Sequence, residues 1–158
     1  ILNVTSMNGL VALAPMMSYT ASKYALEAAT EVLAMELQDF GVRVALIEPG
    51  VVMTPIFEKL SGSVPDMNSP YGKFYSALGR VTARNLESAA MPESIARAMQ
   101  NAVETSEPRL RYVVGHDANK MVEGRSKMTD EEWIALGALS EDGYASRMAS
   151  MMGNDLRD

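Results

Sequence analysis

Short, β-branched apolar runs alternate along this chain with longer stretches whose apolar residues recur at helical spacing. That alternation is the signature of buried strands joined by amphipathic helices. Residues 1–6, with Ile1, Leu2 and Val4, read as a buried strand, and Gly9 and Pro15 break the following stretch into a loop. From Ser18, a candidate N-cap, to Phe40 the pattern is helical. Ala25, Ala28 or Ala29, Val32 and Leu37 mark one broad apolar face, which Leu26 and Leu33 widen. A helix apolar over so much of its girth is expected to be covered on two sides, by the sheet and by a candidate partner subunit. Gly41 suits the left-handed residue that ends a helix, and 42–47 read as a second buried strand. Strand, helix and strand in that order make the βαβ unit of a parallel sheet.

The region 55–91 is richer in Gly, Pro and Ser, with short helices expected at 57–60 and 73–85. Its position after a strand suits a substrate lid or a long surface loop. Pro92 and Glu93 fit the first turn of a helix over 92–104, and Pro108 follows it. A third strand is expected at 110–115. Thr129 and Glu132 form a capping-box pattern with Trp133 on the buried side, and Ser140 caps a last helix reaching about Met152. The tail 153–158 is expected to fray.

Composition narrows the function. A chain of 158 residues with 47% hydrophobic and 22% charged residues can bury the core of about one domain. A net charge of −6 without a Lys/Arg cluster argues against a nucleic-acid partner. Cysteine is absent, which removes disulfides, thiolate metal sites and a Cys nucleophile. No apolar run reaches the ~18 residues of a membrane span, and a cytoplasmic protein is expected. The 13 Met residues suit an adaptable core, while Met16, Met17, Val52, Met53, Ile56 and Phe57 could line a partly apolar substrate pocket. His116, the only His, has no second ligand at suitable spacing, so no metal site is expected.

The chemistry centres on Tyr19 and Lys23, which lie one above the other on a helix face. An ammonium beside a phenol favours the phenolate, giving a side chain able to donate or accept a proton. Ser6 stands upstream at a strand end, and Pro49-Gly50-Val51-Val52-Met53-Thr54 follows the second strand. Strand–Ser, Tyr-x-x-x-Lys and Pro-Gly-x-x-x-Thr in this order resemble the short-chain dehydrogenase/reductase family.

The resemblance implies an α/β, Rossmann-like three-layer αβα sandwich with a parallel sheet, here cut to its C-terminal strands and helices. Within it, 1–54 would be the catalytic βαβ unit, 55–91 the substrate loop, 92–115 a helix and the last strand, and 116–158 a helical extension. It further implies an NAD(P)-dependent oxidoreductase acting on a small alcohol or carbonyl substrate, with the choice between NAD and NADP open. Tyr19 would be the general acid/base. Lys23 would favour its phenolate and bind the nicotinamide ribose, and Ser6 would orient the substrate oxygen. Pro49 and Gly50 would turn beneath the nicotinamide, while Val52 and Thr54 would anchor its carboxamide. A homodimer or homotetramer through the 18–40 helix is implied as well. The family's phosphate-binding Gly-rich turn would lie before Ile1, so the chain reads as the catalytic half of a longer protein. The alternatives are a non-enzymatic nucleotide sensor or assembly module, an inactive fragment, and a Ser6/Lys23 hydrolase. The missing Gly-x-Ser-x-Gly elbow argues against the hydrolase.

Overall fold

A computed structural model describes residues 1–56 and 65–154. Three parallel strands, β1 (Leu2–Val4), β2 (Ala45–Pro49) and β3 (Arg111–Val114), lie in the order β1-β2-β3. Val4 pairs with Ile47, and Ile47 with Tyr112. The helices are α1 (Met17–Glu36), α2 (Gly72–Leu86), α3 (Pro92–Glu104), α4 (His116–Ser126), α5 (Asp130–Ala135) and α6 (Glu141–Met151). The parallel α/β architecture expected from the sequence is present, with α1 on one face of the sheet and α3 on the other.

The two faces of the sheet are chemically unlike. Toward α3 it presents Leu2, Ala45, Ile47, Tyr112 and Val114, packed with Ile95, Met99 and Ala102. Because side chains alternate along a strand, Asn3, Thr5, Glu48 and Arg111 project toward α1. There the helix answers with polar residues: Asn3 donates to Thr30 Oγ1 at 2.8 Å, and Thr5 to Glu27 Oε1 at 2.5 Å. The buried positions of α1 are therefore Thr20, Glu27 and Thr30. This corrects the expectation that its apolar face meets the sheet. The alanine-rich face, with Val32 and Met35, is exposed among the described residues.

A larger apolar core lies beyond the sheet edge, where the 7–13 segment, α2, α4 and α6 meet around Val11, Val81, Met121 and Met148. Five of the methionines, Met7, Met121, Met148, Met151 and Met152, are buried here, in keeping with an unbranched thioether filling irregular space. Phe74 of α2 meets Tyr144 of α6 edge to face, ring centroids 5.1 Å apart.

Several boundaries move. Ser18 is not the N-cap of α1: the helix starts at Met17, and Met16 in the cap position makes no side-chain cap bond. The α-helix closes at Glu36, and a 3-10 turn carries the chain through Phe40 to Gly41 at φ 65°. The second strand runs later than expected, through Pro49, because pairing with β3 reaches Val114. Residues 116–126, assigned no element of their own from the sequence, form α4. The capping box at Thr129 and the cap at Ser140 are present as expected. The helix expected at 57–60 lies outside the described residues.

Candidate active site

The carboxyl ends of β1 and β2 bring the expected residues into one region. Ser6 follows β1 and is buried. Its hydroxyl accepts the Asn8 N–H at 3.2 Å and donates to the Pro49 carbonyl at 3.5 Å, tying the ends of β1 and β2 together. The Lys23 ammonium donates to the Val4 carbonyl, two residues before Ser6, at 3.5 Å. It also lies 5.6 Å from the centroid of the Tyr19 ring. Tyr19 remains 40% exposed, so its phenol can reach a ligand. Helical stacking at i,i+4 thus sets a cation beside an accessible phenol at the rim of the sheet.

The turn after β2 is held from an unexpected direction. Asp117, in the first turn of α4, accepts the Val51 N–H at 2.7 Å. A Cβ on Gly50 would lie only 2.3 Å from an Asp117 carboxylate oxygen. Gly50 is needed here because Asp117 occupies the space a side chain would take. Val52 forms a parallel bridge with Ala90, made through the Val51 carbonyl (3.0 Å) and the Met53 N–H (2.9 Å). In a parallel pairing, Val52's own N–H and C=O then face the other way. They are suitable for an amide-bearing ligand. Thr54 is half-buried beyond them.

Sequence reasoning missed Asp117, whose only local signal was an acid two residues after a strand-ending Gly. Replacing Asp117 by Ala leaves the Val51 N–H without its partner and is expected to destabilise the chain by about 1–3 kcal/mol. Chemical denaturation checks this, and Asp117→Asn should recover most of the loss.

The pocket expected around Met16, Met17, Val52, Met53, Ile56 and Phe57 is distinct from a well-formed cavity beside it. Among the described residues, a cavity of about 860 Å³ opens on the other flank of α1, lined by Leu13, Met17, Tyr24, Phe74, Trp133 and Tyr144. Met17 is the one residue common to both sets. Met16 instead takes a hydrogen bond from Asn8 on its sulfur at 3.6 Å. Phe57 lies outside the described residues. Burial pushes the Tyr24 phenol up, opposed by Arg125. His116 begins α4 on the surface. No cluster of three or more His, Cys, Asp or Glu suited to a metal occurs among the described residues, and no described helix is long and apolar enough to cross a membrane.

Beneath the site lies a buried acidic pair. Glu48 of β2 is fully buried, and Glu27 of α1 nearly so. Arg111 Nε donates to Glu27 Oε2 at 3.1 Å and lies 3.3 Å from Glu48 Oε1. Burial, and then the neighbouring Glu27 carboxylate, push Glu48 up to about 8.

The short chain dehydrogenase family model matches residues 1–64. The chain is 34% identical over 140 residues to the uncharacterized oxidoreductase YusZ of Bacillus subtilis, covering 86% of this chain and 50% of that protein. It is 33% identical over 116 residues to the NADPH-dependent 3-dehydrocapnine reductase of Ornithobacterium rhinotracheale, covering 72% of this chain and 41% of that protein. The crystal structure of a short-chain dehydrogenase from Streptomyces avermitilis superposes with a TM-score of 0.67 at 27% identity, covering 87% of this chain and 52% of that one. The chain thus spans about half the length of the curated relatives it matches.

Proposed function

The chain belongs to the short-chain dehydrogenase/reductase family, and from that premise we propose that the protein carrying it is an NAD(P)-dependent oxidoreductase acting on an alcohol or carbonyl substrate. The observation that carries this reading is the Lys23 ammonium set beside the exposed Tyr19 ring at the end of β1. A structural pair has no need of an accessible phenol at the carboxyl edge of a parallel sheet, where open α/β folds place their ligands.

Each residue then has a task. Tyr19 gives its proton to the substrate oxygen during reduction and takes it back during oxidation. Lys23 supplies positive charge beside the Tyr19 ring and would offer donors to the hydroxyls of the nicotinamide ribose. Ser6 offers a hydroxyl to the substrate oxygen, which requires it to exchange its contact with Pro49. Pro49 and Gly50 would form the turn beneath the nicotinamide, the backbone of Val52 and the hydroxyl of Thr54 would hold its carboxamide, and Asp117 steadies the turn. The donor set fits a nicotinamide nucleotide: an ammonium for vicinal hydroxyls, and unbridged backbone groups at Val52 for an amide. The bound nucleotide supplies or accepts the hydride. NAD and NADP both remain compatible, although one relative is named as NADPH-dependent.

The substrate is a small to medium molecule with apolar character, in keeping with the apolar cavity beside Met17. The open alanine-rich face of α1 suits a homodimer or homotetramer. Ser6, buried and engaged in capping, favours a second reading, in which the fold is kept for nucleotide sensing or assembly without chemistry.

Absorbance of the reduced nicotinamide, followed with a panel of alcohols and carbonyls in the full-length protein, tests the proposal; absence of turnover with every cofactor and substrate pair sinks it. Calorimetric titration of the 158-residue chain alone with NADH and NADPH is expected to show binding weaker than micromolar. Tight binding would show that these residues hold the cofactor unaided.

A further inference from the structure

Counting donors and acceptors around Glu27 and Glu48 leaves both oxygens of Glu48 without a hydrogen. The four carboxylate oxygens sit at the seam of α1 and the sheet. Thr5 Oγ1 donates to Glu27 Oε1 at 2.5 Å, and Arg111 Nε donates its single hydrogen to Glu27 Oε2 at 3.1 Å. The Arg111 Nη2 group turns away to Glu31 at 2.8 Å. Both oxygens of Glu48 are left buried without a hydrogen-bond partner. A fully buried carboxylate without donors is untenable at ordinary pH, whereas a protonated carboxyl carries its own donor.

We propose that Glu27 and Glu48 hold one proton between them and act as positioning residues for the Ser6, Tyr19 and Lys23 cluster. Glu48 immediately precedes Pro49, whose carbonyl meets Ser6. Thr5, bonded to Glu27, immediately precedes Ser6. Glu27 stands one helical turn beyond Lys23. Glu27 also fills the space beside the turn that Ser6 caps: a Cβ on Gly9 would lie 2.7 Å from its Cγ. The shared proton therefore sits at the junction of all three segments that carry the site. Its loss puts two anions against one guanidinium and pushes those segments apart.

The charged groups around the pair are Glu31 and Lys23 of α1 and Arg111 of β3, with Asp117 beyond the end of β2. The rise of Glu48 to about 8 agrees with the donor count. A folded-state value above the unfolded one means that the native protein binds the extra proton. Stability should then fall as pH rises from the ordinary carboxylate range to about 8, and level off above it.

The assignment of a role to Ser6, Tyr19 and Lys23 rests on the proposed function, but the test does not require turnover. In an infrared titration of the 158-residue chain, a protonated-carboxyl stretch is expected at neutral pH, lost near pH 8, and absent from Glu48→Gln. The backbone amide signals of Ser6, Asn8 and Gly50 should shift in nuclear magnetic resonance with the same midpoint in the wild type and lose that shift in Glu48→Gln. Glu27→Gln is the second variant, should the first fail to fold: it removes the neighbouring carboxylate, so the carboxyl band and the amide shifts should titrate together at lower pH than in the wild type. A missing carboxyl band, or amide shifts that persist in Glu48→Gln or keep their midpoint in Glu27→Gln, overturns the proposal. A band without any coupled amide shift also overturns it, by reducing the pair to a structural one. Failure of the oxidoreductase reading would appear separately, as no hydride transfer with the titration intact.

Discussion

Replacing Tyr19 by Phe is expected to lower hydride transfer by about 10²–10⁴-fold, the range a positioned general acid/base contributes. The substitution removes one oxygen and keeps the ring against the Lys23 ammonium, 5.6 Å from its centroid. Among the described residues the Tyr19 hydroxyl makes no hydrogen bond, and the side chain is 40% exposed. The change should therefore leave thermal stability within about 0.5 kcal/mol of the wild type. That separation of readouts gives the experiment its force. Rate lost with stability kept identifies the phenol oxygen as part of the chemistry. Turnover kept within tenfold would remove Tyr19 from the mechanism and favour the reading in which the fold only senses nucleotide or assembles. The rate is read from reduced-nicotinamide absorbance in the full-length protein, and the stability from thermal denaturation of the same sample.

What could be foreseen from sequence was mostly local. Pro92 opens a helix because its missing N–H is one the first turn leaves unused. Thr129 and Glu132 close a capping box within four residues, and Gly41 takes the left-handed geometry that other residues resist. Tyr19 and Lys23 were paired by helical spacing alone. Contacts between distant segments were hidden. Nothing in the run Glu48-Pro49-Gly50 says that Arg111 will meet its acid, or that Asp117 will fill the space beside its glycine. The orientation of α1 was misjudged for a related reason. Alanines are small enough to face solvent at little cost, so a stripe of them does not fix a buried face, whereas Glu27 had to be buried once Thr5 and Arg111 supplied donors. Helix α4 has weak bounds in the sequence, within the helical extension expected from 116 onward, because it is largely polar and contains Gly124 near its end.

Arg111→Leu should destabilise the chain by about 3 kcal/mol, the lower end of the penalty for removing one partner of a buried ion pair. The lower end applies because the Arg111 side chain is 34% exposed, while Glu27 and Glu48 are not. The guanidinium is held charged foremost by its hydrogen bond to Glu31, with Glu27 contributing. It is the only cation in contact with the pair among the described residues. Without it, Glu48 loses the charge that holds its value down, so its titration moves further up. The loss should accordingly change little between pH 5 and 8, where Glu48 keeps its proton in both proteins, and grow above about 8, where only the wild type releases it. Adding Glu48→Gln to Arg111→Leu removes one of the two uncompensated acids and should recover a measurable part of the loss, a coupling of about 0.5–3 kcal/mol in a double-mutant cycle. Urea denaturation at several pH values reads all three quantities. A loss below about 0.5 kcal/mol that does not vary with pH would mean that Arg111 merely screens a surface carboxylate, and that the seam between α1 and the sheet is held by its neutral hydrogen bonds, Asn3 to Thr30 and Thr5 to Glu27, without help from the charge.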